Sequence, residues 1–76
     1  VVANEEVVSA TLAMLNDLTK TALHSFAWSK KLMNDSFNNT LETQLELERQ
    51  GISACGAHPD GQEGIKAFVE KRKPSF

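Results

Sequence analysis

Few side chains in this sequence have the types and spacing that chemistry needs. Cys55 and His58 form a Cys-x-x-His pair, the spacing of half a metal site or of a nucleophile with its base. One cysteine and two histidines cannot complete a tetrahedral zinc shell, and a cysteine on an apolar helical stripe ordinarily packs as a small hydrophobe. His24 stands alone near the start of a helical stretch. The glutamates fall mainly on solvated faces, with no pair placed to have its pKa values driven apart for acid–base work. No catalytic constellation and no metal set is read here. What remains is the cation cluster Lys66, Lys71, Arg72 and Lys73, with Phe68 among them. Two readings stay open for it. Cations near a helix C-terminus each stabilise by about 0.3–1 kcal/mol and keep a small protein dissolved. Alternatively, the ammonium groups hold a phosphate-bearing ligand while Phe68 offers a flat apolar face to a base.

The element that must carry this cluster is written from Asp60 to Pro74. Asp60 can cap the first free N–H groups, Glu63 stands three residues on in capping-box relation, and Pro74 forbids continuation. Ile65, Phe68 and Val69 recur at i, i+3, i+4, so one stripe seeks burial while Lys66, Glu70 and Lys73 stay wet. A helix over 61–72 is too short to stand alone in water and must dock on another surface.

Three further helices are expected upstream, over 5–19, 22–37 and 40–55. Asn4 is a good N-cap ahead of Glu5 and Glu6, and Val8, Leu12, Leu15 and Leu18 recur at helical spacing. A break is expected at Thr19–Thr21. In the second helix Leu23, Phe26, Ala27, Met33 and Phe37 line the expected inner face, and Trp28 and Leu32 lie off it. That pair reads either as an interface patch or as part of a wide core face. The third helix begins from an Asn39–Glu42 capping box, with Leu41, Leu45, Ile52 and Cys55 inward and Leu47 off the stripe. Gly51 costs about 1 kcal/mol relative to Ala inside a helix, so a neighbour is expected to approach it closely, or the helix to kink. Gly56 is the expected left-handed cap, followed by turn chemistry at His58-Pro59-Asp60-Gly61. The fold class is therefore all-α with about four helices.

With 76 residues the chain makes at most one domain. A domain this small buries only roughly 60% of its unfolded surface, and no disulfide is available to staple it. A formal charge of −2 without a basic excess argues against nucleic acid as a partner. No apolar run or basic leader marks a membrane span or secretion signal, and the free thiol fits the cytoplasm or another reducing compartment. The abrupt start at Val1-Val2-Ala3, without Met, reads as a fragment of a longer chain.

The run Leu45-Glu46-Leu47-Glu48-Arg49-Gln50, then Glu63-Gly64-Ile65-Lys66-Ala67-Phe68-Val69-Glu70-Lys71-Arg72 with Pro74 and Phe76, resembles the C-terminal region of the enoyl-CoA hydratase/isomerase (crotonase) superfamily. Ala27-Trp28-Ser29-Lys30 fits at the expected distance, and the resemblance covers essentially the whole chain. The stretch Asn39 to Glu48 is similar to members that isomerise aromatic acyl-CoA thioesters. The sequence departs from many relatives in lacking prolines before the second helix and in having only Ile at position 52, a place the resemblance associates with the acyl pocket.

The resemblance implies an oligomerisation segment, packed in trimers and often hexamers, of an enzyme acting on acyl-CoA. It implies that the oxyanion-hole peptides and proton-moving carboxylates lie in an absent β/α core, so these residues alone are inactive. It also implies that Phe68 and Lys71 contact the adenine nucleotide end of the substrate's coenzyme A moiety in a neighbouring subunit's site. No covalently bound cofactor is implied. The competing reading is an independent helical protein-interaction module whose basic tail serves solubility only.

Overall fold

The computed structural model describes all residues from Val1 to Phe76, and its regular structure is entirely helical. A short 3-10 turn at Asn4–Glu6 leads into α1, Val7–Leu18. Next come α2, Leu23–Asp35, a second 3-10 turn at Ser36–Asn38, then α3, Leu41–Ala57, and α4, Pro59–Glu70. The break expected at Thr19–Thr21 is present, closed by the Thr21 hydroxyl, which donates to the Leu18 carbonyl at 2.6 Å.

The helix ends differ from the expected ones. Asn4 and Asn39 do not cap: Thr40 accepts from the Thr43 N–H at 3.2 Å, because an extended backbone at Thr40 aims its hydroxyl at the first turn. Gly56 is not left-handed, and α3 runs past it to Ala57. A single residue, His58, then serves as the C-cap of α3 and the N-cap of α4, its Nδ1 accepting from the Asp60 N–H at 3.0 Å. Asp60 therefore lies inside the helix, and α4 starts at Pro59, where a missing N–H costs nothing.

The helices pack in series, α2 on α3 and α3 on α4, with α1 standing apart from that stack. The result is a plate of 45 × 38 × 16 Å. Its radius of gyration is 16.0 Å, against about 11 Å for a compact domain of this length. A helix with side chains is about 10–12 Å across, so a plate this thin leaves both broad faces open. Only Gly51 and Ala67 are fully buried.

The faces that meet are the reverse of those expected. Trp28 and Leu32, off the expected stripe of α2, are half-buried against α3, whereas Leu23, Phe26, Met33 and Phe37 are exposed. On α3 the inward positions include Gln44, Leu47, Gly51, Ala54 and the expected Cys55, whereas the expected Leu41, Leu45 and Ile52 face out. Gly51 is where α2 comes closest: a Cβ there would stand 3.0 Å from Trp28 Cε3 and 3.4 Å from Leu32 Cδ1. The close approach expected of that glycine is thus observed, and Trp28 belongs to the helix–helix contact. The Gln44 amide adds a polar tie, donating to the Leu32 carbonyl at 3.1 Å. Gly51, Ala54 and Gln44 let Trp28, Leu32 and Leu47 close the contact, and the remaining bulky apolar stripes stay exposed.

Candidate functional site

The C-terminal end of α4 is built by a Schellman closure. The Arg72 N–H reaches back to the Ala67 carbonyl at 3.0 Å and the Lys71 N–H to the Phe68 carbonyl at 3.2 Å. Lys71 takes the left-handed conformation, φ 55° and ψ 42°, at the position where glycine is usual. The helix therefore ends at Glu70, and Lys71, Arg72 and Lys73 lie beyond it rather than in its last turn.

Arg72 folds back over the helix. Its two terminal nitrogens donate to the two oxygens of Glu63, each at 2.8 Å, and its Nε donates to Glu70. Ser75 N–H donates to the same Glu63 carboxylate at 2.7 Å, drawing Pro74–Phe76 along α4. The Arg72 guanidinium, and after it the Ser75 N–H, hold the Glu63 carboxyl at about 2, below its ordinary 4.5. The same pairing raises Arg72 further. Glu63, expected to close a capping box, is consumed by this clamp instead.

The cation cluster thereby divides. Arg72 is paired with two carboxylates, whereas Lys66, Lys71 and Lys73 take part in no ion pair. Beside them Phe68 is 85% exposed, with Ile65 and Val69 exposed on the same stripe. An open aromatic face and unpaired ammonium groups are a chemically fitting set for a base joined to phosphates. Ala67, on the opposite side of the helix, is 1% exposed and seats α4 on the rest of the plate.

The other candidate residues have other surroundings. Cys55 lines an open groove of about 510 Å³ between α2 and α3, together with Trp28, Leu32, Met33 and Ile52. His58 is occupied in capping, and its ring stacks on His24 with centroids 4.1 Å apart and planes 9° from parallel. Nδ1 of His24 is buried without a hydrogen-bond partner. No three His, Cys, Asp or Glu side chains group as metal ligands would. No helix is long and apolar enough to cross a membrane. Two features had no signal in the sequence. A Glu–Arg pair nine residues apart follows no helical spacing rule, and nothing in Lys-Arg-Lys-Pro marks its first residue as left-handed.

The enoyl-CoA hydratase/isomerase family model matches residues 1–76. A 1,2-epoxyphenylacetyl-CoA isomerase of Escherichia coli is 33% identical over 76 residues, covering 100% of this chain and 29% of that protein. A probable mitochondrial enoyl-CoA hydratase of Dictyostelium discoideum is 34% identical over 77 residues, covering 100% of this chain and 27% of its own length. The crystal structure of an enoyl-CoA hydratase from a Polaromonas species superposes with a TM-score of 0.89 at 36% identity, over 99% of this chain and 29% of that one. The chain thus spans less than a third of the length of these relatives.

Proposed function

This chain belongs to the enoyl-CoA hydratase/isomerase family, and from that premise we propose that it is the helical C-terminal segment of an enzyme acting on acyl-CoA thioesters. Its own work is assembly and completion of a coenzyme A site, with Phe68 and Lys71 meeting the nucleotide end of the substrate. The chemistry of such an enzyme stabilises a thioester enolate in an oxyanion hole while carboxylates move a proton. These residues supply binding and packing to that reaction.

The observation that carries the reading is the exposure of the α4 stripe, Ile65 at 60%, Phe68 at 85% and Val69 at 73%. Covering those three side chains contributes roughly 5–8 kcal/mol before ordering costs, which this plate alone leaves unrealised. The unpaired Lys71, one turn beyond the exposed Phe68, supports the coenzyme A part, and Ile52 on the open groove supports a role near the acyl group. Self-association into trimers or hexamers accounts for the exposed stripes of α2 and α3.

The test is Lys71→Ala in the enzyme carrying this segment. KM for the acyl-CoA substrate rises modestly and more visibly at low salt, because an exposed pair is worth only about 0.2–1 kcal/mol. An unchanged KM at low ionic strength removes Lys71 from the site. Sedimentation of the isolated 76 residues separates the alternatives: oligomers or loosely packed monomers fit the assembling enzyme, and a compact, highly stable monomer fits an independent interaction module.

A further inference from the structure

Lys71 is the only non-glycine residue with positive φ, and the chain around it is tied down on both sides. On its N-terminal side Glu70 receives the Arg72 Nε. On its C-terminal side the Arg72 N–H is fixed to Ala67 and the Arg72 fork to Glu63. The Ser75 N–H closes the loop on the same carboxylate. Relaxing Lys71 to an extended backbone would swing Arg72 off Glu63, so the left-handed turn and the fork stand or fall together. The clamp has a second effect: it occupies both nearby carboxylates with Arg72, so neither captures the Lys71 ammonium.

We infer that Glu63 and Arg72 are positioning residues for Lys71, fixing the left-handed turn from which its side chain leaves the end of α4, one turn after Phe68, and keeping its ammonium free for a phosphate. The inference rests on the reading that Lys71 contacts the nucleotide end of coenzyme A. Arg72 directs its three short bonds, from Nε and both terminal nitrogens, to carboxylates, which leaves Lys71 as the neighbouring cation without a carboxylate partner.

The experiment compares steady-state kinetics of the enzyme carrying this segment on an acyl-CoA and on the same acyl group joined to pantetheine, which lacks the nucleotide. Glu63→Gln and Arg72→Lys, which abolish the charged fork without removing bulk, raise KM for acyl-CoA roughly two- to fivefold. The acyl-pantetheine parameters do not follow. In a Lys71→Ala background neither change raises KM further, because the group being positioned is gone. If Lys71→Ala raises KM for acyl-CoA and the two clamp variants leave it unchanged, positioning is overturned while the contact stands. If Lys71→Ala is itself silent, the contact is wrong and the inference falls with it. If the clamp variants lower kcat on both substrates alike, the clamp is only structural and the inference is overturned.

Discussion

Gly61 lies so close to Cys55 that a Cβ on Gly61 would overlap the Cys55 carbonyl oxygen, and would stand 3.2 Å from Gly56 Cα. Backbone meets backbone there, so no side-chain rotation can relieve the clash. The one-residue corner between α3 and α4 therefore depends on glycine at this place, for space and not for a positive φ. Gly61→Ala is expected to destabilise by about 1–3 kcal/mol, the cost of overpacking, despite the better helix propensity of alanine. Urea unfolding of the protein carrying the change measures it, and a gain in stability would refute the contact.

Gly51 and Gly56 make a matched pair in one helix. A methyl group on Gly56 meets nothing within 4 Å, so Gly56→Ala is expected to stabilise by about 0.5–1 kcal/mol through backbone entropy alone. The same change at Gly51 places its methyl 3.0 Å from Trp28 Cε3, and the propensity gain is cancelled or reversed. Equal stabilisation at both sites would mean that Trp28 moves aside freely.

His58 caps α4 through Nδ1, so the proton of the neutral ring sits on Nε2. His58→Ala removes the acceptor and is expected to cost about 1 kcal/mol, and His58→Asn, a strong capping residue, restores most of it. Helicity of α4, followed by amide exchange at Asp60 and Gly61, reports the cap directly. If alanine and asparagine behave alike, the stack on His24 and not the cap is what His58 contributes.

The all-α class, the four helices and their approximate spans were legible because apolar periodicity and breakers are local signals. Which face turned inward was not. Periodicity marks the bulkiest stripe as buried, which holds when a chain covers itself. Here the contacts run through Gly51, Ala67 and the flank of Trp28, and small residues weigh little in any hydrophobic pattern. The pattern marked Ile65, Phe68 and Val69 as a stripe seeking burial, and in the fold all three stay exposed. Phe68 and the cation cluster were legible as one of two open readings, resemblance narrowed the cations to Lys71, and the clamp that divides them arises from a fold-back no local rule encodes.

Acid is expected to open that clamp. With Glu63 held at about 2 in the folded chain against an ordinary 4.5, the folded state binds fewer protons than the unfolded one in between. The stability this pairing contributes is fully present above about 4.5 and is lost as pH falls from there through about 2. The Ser75 amide, which donates to the same carboxylate, is expected to lose exchange protection over that window. Glu63→Gln should abolish this step. Glu46, lowered to about 2 by Arg49 and then Gln50, titrates in the same range, so the Gln variant is the control that assigns the signal to Glu63.

Lys71→Gly separates the two consequences of the left-handed turn. A Cβ residue in this conformation costs roughly 1–2 kcal/mol relative to glycine, and Lys71 bears that cost at an exposed position where its side chain makes no ion pair. Glycine holds the same turn, and with it the fork, without that cost. Glycine is therefore expected to stabilise the segment by about 1 kcal/mol, seen as a raised unfolding midpoint, while weakening acyl-CoA binding as much as alanine does. Alanine keeps the backbone cost and loses the ammonium, so its stability should stay near that of the parent. A glycine variant that is more stable and binds acyl-CoA unchanged would mean that the strained lysine serves no ligand at all.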